Sequence, residues 1–326
     1  AKRGADLGKY DLTGSDVWTA DFGPVAAPGV YRIAVEGIGC SPDFTVGRGV
    51  YEIPFKVAVK GFYYMRIGEV ERPDIRPVPR QPPYIPGQSP PGTKVLITTM
   101  HPYHPEWKTF SRGDVWDVPA DWARFVKAGA PENAKAFGGH SDALDWDRHL
   151  GHVSIIYDML LPFLLTDGAL ADDDTGIAES GNGIPDLLDE ARNEVDFWLR
   201  LRDGDGYGHG LTCPSREHVF YQAGATPVAA WANAANAAML ADCFRIAGRD
   251  DLSREYLVHA VRAWEYADGL ADRGLTLVQD VGGVGMRGAD FRMTAAAFLF
   301  NLTGDRRYED AVCEHSLVRS DVDDIV

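Results

Sequence analysis

Cysteine is scarce: Cys40, Cys213, Cys243 and Cys313 are the only four in 326 residues. They form no CxxC pair and no dense framework, which excludes a disulfide-built scaffold and a cysteine-rich metal site. Isolated thiols of this kind are read as small core residues. Basic residues are also in deficit, with 32 lysines and arginines against 48 aspartates and glutamates, a formal net charge of −16. Without clustered cations to meet phosphates, a nucleic-acid partner is excluded, and neutral or cationic ligands fit better. Long apolar runs are missing too. The longest, VSIIYDMLLPFLL, is broken by Asp158 and is too short to span a bilayer. The N-terminus lacks the charged-then-apolar layout of a signal peptide. The expectation is a soluble chain with no membrane partner.

What is present is core-forming material. With 45% apolar and 11% aromatic residues, the chain can bury one large domain or two unequal ones. Residues 10–47 read as short strands (DVWTADFG, GVYRIAVEG, DFTVG), about three where a sandwich needs about seven. They form either a β appendage or the later part of a β domain. From Val50 to Arg66 the pattern turns helical, with Tyr51, Phe55, Val59, Phe62 and Tyr63 at spacings of three and four and Pro54 near the first turn. Residues 71–92 hold eight prolines and predict a stiff surface strap.

Beyond residue 150 every strong segment reads as helix, with no strand signal between them. Leu150, Val153, Ile156, Tyr157, Leu160, Leu161 and Leu164 form one apolar face, and Leu187, Leu188, Ala191, Val195, Trp198 and Leu199 the next. Alanine-rich residues 226–248 follow, with Gly248 as a stop, then helical stretches over 251–269 and 292–316. The succession predicts a mainly α toroid of antiparallel helix pairs or a helical solenoid.

The stretch GGHSDALDWDRHLGH, residues 138–152, concentrates carboxylates in Asp142, Asp145 and Asp147. Two aspartates at i, i+3 ahead of a helix serve its N-terminal dipole in most proteins. They can also do chemistry: one takes a proton from water while the other orients that water. Inverting glycoside hydrolysis needs such a base on one face of the sugar and a protonated acid on the other. Asp142 and Asp145 fit only the base side. A second stretch, ESGNGIPDLLDEARNEVDFWLRL at 179–201, reads as a turn into a helix. Pro185 suits its first position, and Asp186, Asp189 and Glu190 complement its dipole.

That second stretch closely resembles a segment of glycoside hydrolase family 9, the inverting cellulases and their relatives. Other stretches resemble the family in the same order. VYEIPFKVAVKGFYYMRIG is similar to its first helix, GGHSDALD stands at its Gly-Gly-Trp-x-Asp-Ala-Gly-Asp, and MTAAAFLFNLTGDRRYEDA resembles its Trp-Ala-Ala helix. Residues 10–46 resemble the later strands of the immunoglobulin-like domain that precedes many bacterial members. The resemblance implies an (α/α)6 toroid over residues 49–326 and a partial immunoglobulin-like β-sandwich over 1–48, a chain truncated at both ends. It implies a β-1,4-linked glucan or related β-linked oligosaccharide as substrate, Asp145 as general base, Asp142 as its partner, and His209 of GYGHGL as a sugar-binding residue. Secretion or periplasmic location is implied as well.

The sequence departs from the family in places. Leu144 replaces the glycine between the aspartates, and His140 and Ser141 replace a tryptophan and its neighbour, altering the sugar platform. The general acid is not recognisable. No cofactor is required for the chemistry. A structural calcium is an expectation for the acidic loop with Asp167, Asp172, Asp173, Asp174 and Glu179, although such a loop is commonly just solvated. The family's calcium pair before the Trp-Ala-Ala helix is Asp290-Phe291 here, one oxygen ligand fewer, and residues 60–140 lack the cysteine of a zinc site. His101, Tyr103, His104 and Trp107 of HPYHPEW form a candidate aromatic platform. Alternative readings are a noncatalytic carbohydrate-binding relative and an exo-acting β-glucosidase or glucosaminidase.

Overall fold

A computed structural model describes residues 21–67, 89–110, 119–140, 148–212, 218–270, 277–279 and 285–316. The chain divides into two compact units, Ala1–Ala58 and Val59–Val326. In the first, β1 (Gly29–Tyr31), β2 (Ala34–Val35), β3 (Gly39–Cys40) and β4 (Phe44–Val46) pair as two antiparallel ribbons, β1 with β4 and β2 with β3. The register sets Tyr31 opposite Phe44, and Phe22 stacks on Phe44 at 5.3 Å between ring centroids. Cys40 is exposed here, whereas Cys243 is buried as a core thiol should be.

Helix α1 (Glu52–Met65) carries Pro54 at its third residue, where a missing N–H costs nothing, and buries Val59 and Tyr63 one turn apart. The proline-rich strap lies outside the described residues up to position 88. Next come β5 (Lys94–Ile97), the short helices α2 (Trp107–Phe110) and α3 (Pro119–Ala123), and β6 (Arg148–His149). A 3-10 turn over Leu150–Val153 leads into α4 (Ser154–Leu165), and α5 (Asp186–Arg200) follows. Before the next helix the chain makes β7 (Arg202–Asp203), β8 (Gly206–Tyr207), β9 (Gly210–Leu211) and β10 (Val219–Gln222). The rest is α6 (Pro227–Ile246), α7 (Asp250–Asp268), the ribbon β11 (Leu277–Gln279) with β12 (Gly285–Arg287), α8 (Gly288–Thr303) and α9 (Arg306–His315).

The strands between the helices depart from the purely helical expectation. β5, β10, β9 and β6 form one four-stranded sheet in that order, with β5 parallel to β10. These strands have two to four residues, too few for a visible alternation, and β10 is buried at every position, so its pattern is only a short apolar run. Leu96, Met100, Phe110, Trp122, Phe125 and Tyr221 pack as a core around it. Trp107 belongs to that core, only 8% exposed, so it is unavailable as the sugar platform foreseen for it.

Alanine decides the helical packing. All residues of α6 from Val228 to Phe244 are buried, and α6 packs against α4, α5, α7 and α8. A helix surrounded this way needs small side chains so that neighbouring backbones approach closely. Thr226 caps it, accepting from Ala229 N at 3.1 Å, and Gly248 ends it with φ of 72°, a left-handed turn that a side chain would strain. Only Ala247, Gly248 and Arg249 separate α6 from α7, so the two run antiparallel. α8 and α9 repeat this across Gly304-Asp305. The alternation brings the start of α4, the end of α5, the start of α6, the end of α7 and the start of α8 to one rim. The 3-10 turn before α4 packs on α6, and Tyr207 of β8 meets Tyr266 near the end of α7 at 6.3 Å between rings.

Candidate active site

Asp142 and Asp145 lie in segment 141–147, outside the described residues, and the chain is described on both sides of that segment. Upstream, Gly138 and Gly139 lay the backbone on α5. Gly139 has φ of 79°, and a Cβ there would stand 2.9 Å from Phe197 Cγ, so only glycine fits. Ile67 N donates to Gly139 O at 2.8 Å, and Arg66 and His140 form a backbone bridge. His140 N and Nδ1 reach Glu194 Oε2 at 2.6 and 2.8 Å, and Nε2 lies 2.5 Å from Glu190 Oε1.

The surrounding cluster is buried and charged. Arg66 holds Glu190 through Nε at 3.1 Å and Nη2 at 2.9 Å, and its Nη1 donates to Glu179 at 2.8 Å. Trp198 Nε1 donates to the second oxygen of Glu194 at 2.9 Å. Both glutamates are fully buried, so Glu190 is no helix-dipole residue as its early place in α5 had suggested. Its carboxylate neutralises Arg66 and His140 instead. Burial alone pushes the His140 imidazole down, but the hydrogen bonds and charges of Glu190 and Glu194 hold it above the usual histidine range.

Downstream, β6 pairs antiparallel with β9, Arg148 opposite Leu211 and His149 opposite Gly210. The residue after the aspartate segment therefore sits beside the loop that carries His209. His209 is not a surface histidine: it is 2% exposed, and Nδ1 lies 3.0 Å from Thr226 Oγ1. Thr226, Pro227, Tyr266 and Leu270 line a cavity of about 530 Å³ at the same rim, together with His101 and Tyr103. Burial, helped by His209, His104 and Lys127, lowers the His101 imidazole to about 4, so it is neutral at pH 7. Lys127 is paired with Asp203 at the end of β7. Tyrosine rings, a neutral imidazole and a hydroxyl make a wall suited to an uncharged polar ligand. His101 and Tyr103 thus line this cavity, whereas Trp107 does not.

The acidic loop spends its carboxylates on itself. Asp173 accepts from Gly181 N at 2.6 Å and Gly183 N at 2.8 Å, and Asp186 Oδ2 accepts from Thr175 N, Thr175 Oγ1 and Ser180 Oγ, each at 2.7 Å. Glu179 is engaged by Arg66, and both oxygens of Asp290 by Arg287. Asp173, Glu179, Asp186 and Asp290 thus each already serve a protein group. Among the described residues no three His, Cys, Asp or Glu side chains come together in a way that would hold a metal ion.

Sequence reasoning missed the Arg66–His140–Glu190–Glu194 cluster. The signal was there: Glu190, Glu194 and Trp198 recur every four residues on the buried side of α5, where charge has to be matched by a partner.

Helix pairs α4–α5, α6–α7 and α8–α9 are antiparallel helical hairpins, the repeating unit of an (α/α) toroid, with the connections between successive pairs gathered at one rim. The comparisons with known proteins are more specific. No protein-family profile matches the chain. Endoglucanase D of Acetivibrio thermocellus is 26% identical over 218 residues, 63% of this chain and 30% of the relative. A xyloglucan-specific endo-β-1,4-glucanase of Bacteroides ovatus is 26% identical over 223 residues, 64% of this chain and 32% of the relative. A crystal structure of a glycoside hydrolase family 9 endoglucanase superposes with a TM-score of 0.63 at 21% identity, covering 91% of this chain and 53% of that one. The chain thus resembles glycoside hydrolase family 9 endoglucanases in sequence and shares their fold. It spans about a third of the length of the curated relatives and half of the solved one. Among the described residues no helix is long and apolar enough to cross a membrane.

Proposed function

We propose that this chain carries the base side of a glycoside hydrolase that cleaves β-1,4-linked glucan or a related β-linked oligosaccharide with inversion. Asp145 is the general base and Asp142 assists it. Water attacks the anomeric carbon from the face opposite the leaving group, its proton passes to Asp145, and the C–O bond breaks as an acid on the other face protonates the leaving oxygen. Both proton transfers run between carboxyl groups, water and the glycosidic oxygen, so the reaction as written requires no cofactor. The proposal covers the base side and assigns no acid.

The observation that supports this reading is where the chain stands on either side of the aspartate segment. His140 is held on α5, and His149 is held on β9 next to His209, at the rim where the neutral aromatic cavity opens. The names of the sequence relatives, both endoglucanases, point to the same substrate class. We read His209 as a sugar-binding residue acting with Thr226, residues 1–48 as the later part of an immunoglobulin-like domain, and the protein as secreted or periplasmic like polymer-degrading enzymes in general.

Leu144, in place of the family's glycine, favours a second reading, a carbohydrate-binding relative without hydrolysis. One experiment separates them. The protein is incubated with cello- and xyloglucan oligosaccharides and the anomer of the released sugar is followed by NMR. Initial release of the α-anomer, reduced about 10²- to 10⁴-fold in Asp145→Asn, supports the hydrolase. Undiminished hydrolysis in that variant removes Asp145 from its role, and binding without release by the unmutated protein supports the second reading.

A further inference from the structure

We propose that the cavity lined by His101, Thr226 and Tyr266 is a binding site for one uncharged pyranose of a β-linked glucan, and that His101 and Tyr266 select that sugar through its hydroxyls. This rests on the glucan reading above and narrows it to a class of sugar.

The loop between β5 and α2 fixes the tautomer of His101. Tyr103 N donates to His101 Nδ1 at 3.1 Å, so Nδ1 presents a lone pair and a neutral ring holds its proton on Nε2. The ring is also held in place. A Cβ on Gly224 would stand 3.1 Å from His101 Cδ2, so a glycine there lets the imidazole lie against the chain that leads into α6. His104 meets it edge-on at 6.1 Å between ring centroids. Among the described residues no group accepts from His101 Nε2, and that atom is not sealed from solvent. A donor of fixed direction therefore waits for an acceptor.

Tyr266 is the second such group. Its ring meets Tyr207 edge-on at 6.3 Å, and its hydroxyl lies over Gly206, where a Cβ would stand 2.5 Å from the oxygen. Any larger residue at 206 would displace the phenol. Among the described residues that hydroxyl has no hydrogen-bond partner, and it is not sealed from solvent. Pro227 and Leu270 add apolar wall. A cavity of about 530 Å³ with apolar walls and a few fixed polar groups has the usual form of a small-ligand site. A pyranose has the matching make-up, with carbon-bound hydrogens on its faces and hydroxyls around its edge.

Charge narrows the class further. Among the described residues no carboxylate or ammonium lines the cavity. The carboxylates that act on Tyr266 are engaged elsewhere, Asp203 by Lys127 and Asp205 by Arg202 and Arg262. Around His101, burial acts first, and the imidazoles of His209 and His104 and the ammonium of Lys127 act with it to lower the ring to about 4. Surroundings that resist a proton resist the ammonium of an amino sugar for the same reasons. A uronic acid fares no better: its carboxylate would give up water for a neutral donor, with Lys127 already paired. An uncharged hydroxyl meets neither cost, accepting from His101 Nε2–H while Tyr266 donates or accepts.

Calorimetric titration of the full protein at pH 6 tests this with cellobiose, the β-1,4 dimer of glucosamine and cellobiouronic acid. Cellobiose is expected to bind at least about tenfold more tightly than either charged dimer, a difference of one good hydrogen bond. His101→Phe keeps a ring and removes the donor, and should weaken cellobiose about tenfold; His101→Gln restores an N–H and should recover part of the loss. Tyr266→Phe removes a single oxygen and should weaken cellobiose about three- to tenfold. One readout needs no variant to fold: side-chain ¹⁵N NMR of the unmutated protein should show His101 protonated on Nε2 alone, with that signal moving when cellobiose is added. The inference is overturned by cellobiose affinity unchanged in both phenylalanine variants, by a charged dimer bound as tightly as cellobiose, or by an Nε2 signal that does not respond to the sugar. Absence of cellobiose binding overturns it too. The glucan reading has its own control in cellotetraose: it falls if the unmutated protein neither binds nor cleaves that chain, and it stands if cellotetraose is cleaved while the cavity variants bind cellobiose as before.

Discussion

His149 and Gly210 face each other across the β6–β9 ladder, one residue from His209. The aspartate segment therefore ends where the histidine loop begins, and Thr226 ties that loop to the cavity wall. His209→Ala is expected to weaken cello-oligosaccharide binding by about tenfold, the worth of one hydrogen bond, with kcat little altered. Calorimetric titration of the variant in an Asp145→Asn background measures this; unaltered affinity would take His209 out of the sugar site.

Thr226 does two jobs, capping α6 at Ala229 N and meeting His209 Nδ1 at 3.0 Å. Thr226→Val keeps the shape and deletes both contacts, so unfolding in urea should show a loss of about 1–3 kcal/mol. Thr226→Ser should recover most of it. Equal stability of the valine variant and the unmutated protein would mean that neither contact matters.

Asp189 provides a pH test of the far end of the helices. Burial first, then the Glu179 and Asp186 charges, raise its carboxyl from 3.8 to about 6, against the bond from Asn182 Nδ2. Between those two values the folded chain holds a proton that the unfolded chain has released, so stability from this group falls as pH rises through the window. Asp189→Asn should therefore stabilise the protein at pH 7 by roughly 1 kcal/mol. At pH 3.5 the gain should vanish. Melting temperatures at the two pH values decide, and a destabilised variant at pH 7 would reverse the assignment.

His101 has the opposite sign. Its imidazole is lowered by burial from 6.5 to about 4, so in that interval the unfolded chain binds the extra proton and stability falls as pH drops. The slope is at most about 1.4 kcal/mol per pH unit. His101→Phe should flatten the acid limb of the stability profile between pH 6.5 and 4. A limb as steep as before would show that the loss comes from other groups.

Much of this architecture could be read from residue order alone. Alanine-rich 226–248, closed by Gly248, marks the central helix, and the turn-then-helix stretch at 179–201 marks α5. Their signals are local: periodicity, a cap and a stop. The four-stranded sheet was hidden because β5 and β10 gain their meaning only from each other, and neither has enough residues to show alternation. Trp107 illustrates a related difficulty, since an aromatic next to histidines looks the same in sequence whether it faces a sugar or Phe110. At the site, the aspartates stood out by composition. The buried His140 next to them did not, because its partners lie some fifty residues on, in a helix whose acidic start looked ordinary.

The parallel pairing of β5 with β10 joins Lys94 to Val219 across α4 and α5. Contacts so distant along the chain close late in folding, after local hairpins have formed. During synthesis β5 emerges long before its neighbour in the sheet, and until then its backbone edge and the Trp107–Phe110 aromatics beneath it have nothing to cover them. The α4–α5 hairpin can form as it leaves the ribosome, while the sheet beside the histidine loop waits for the strand at 219, and until then the open edge of β5 is where a wrong strand could pair.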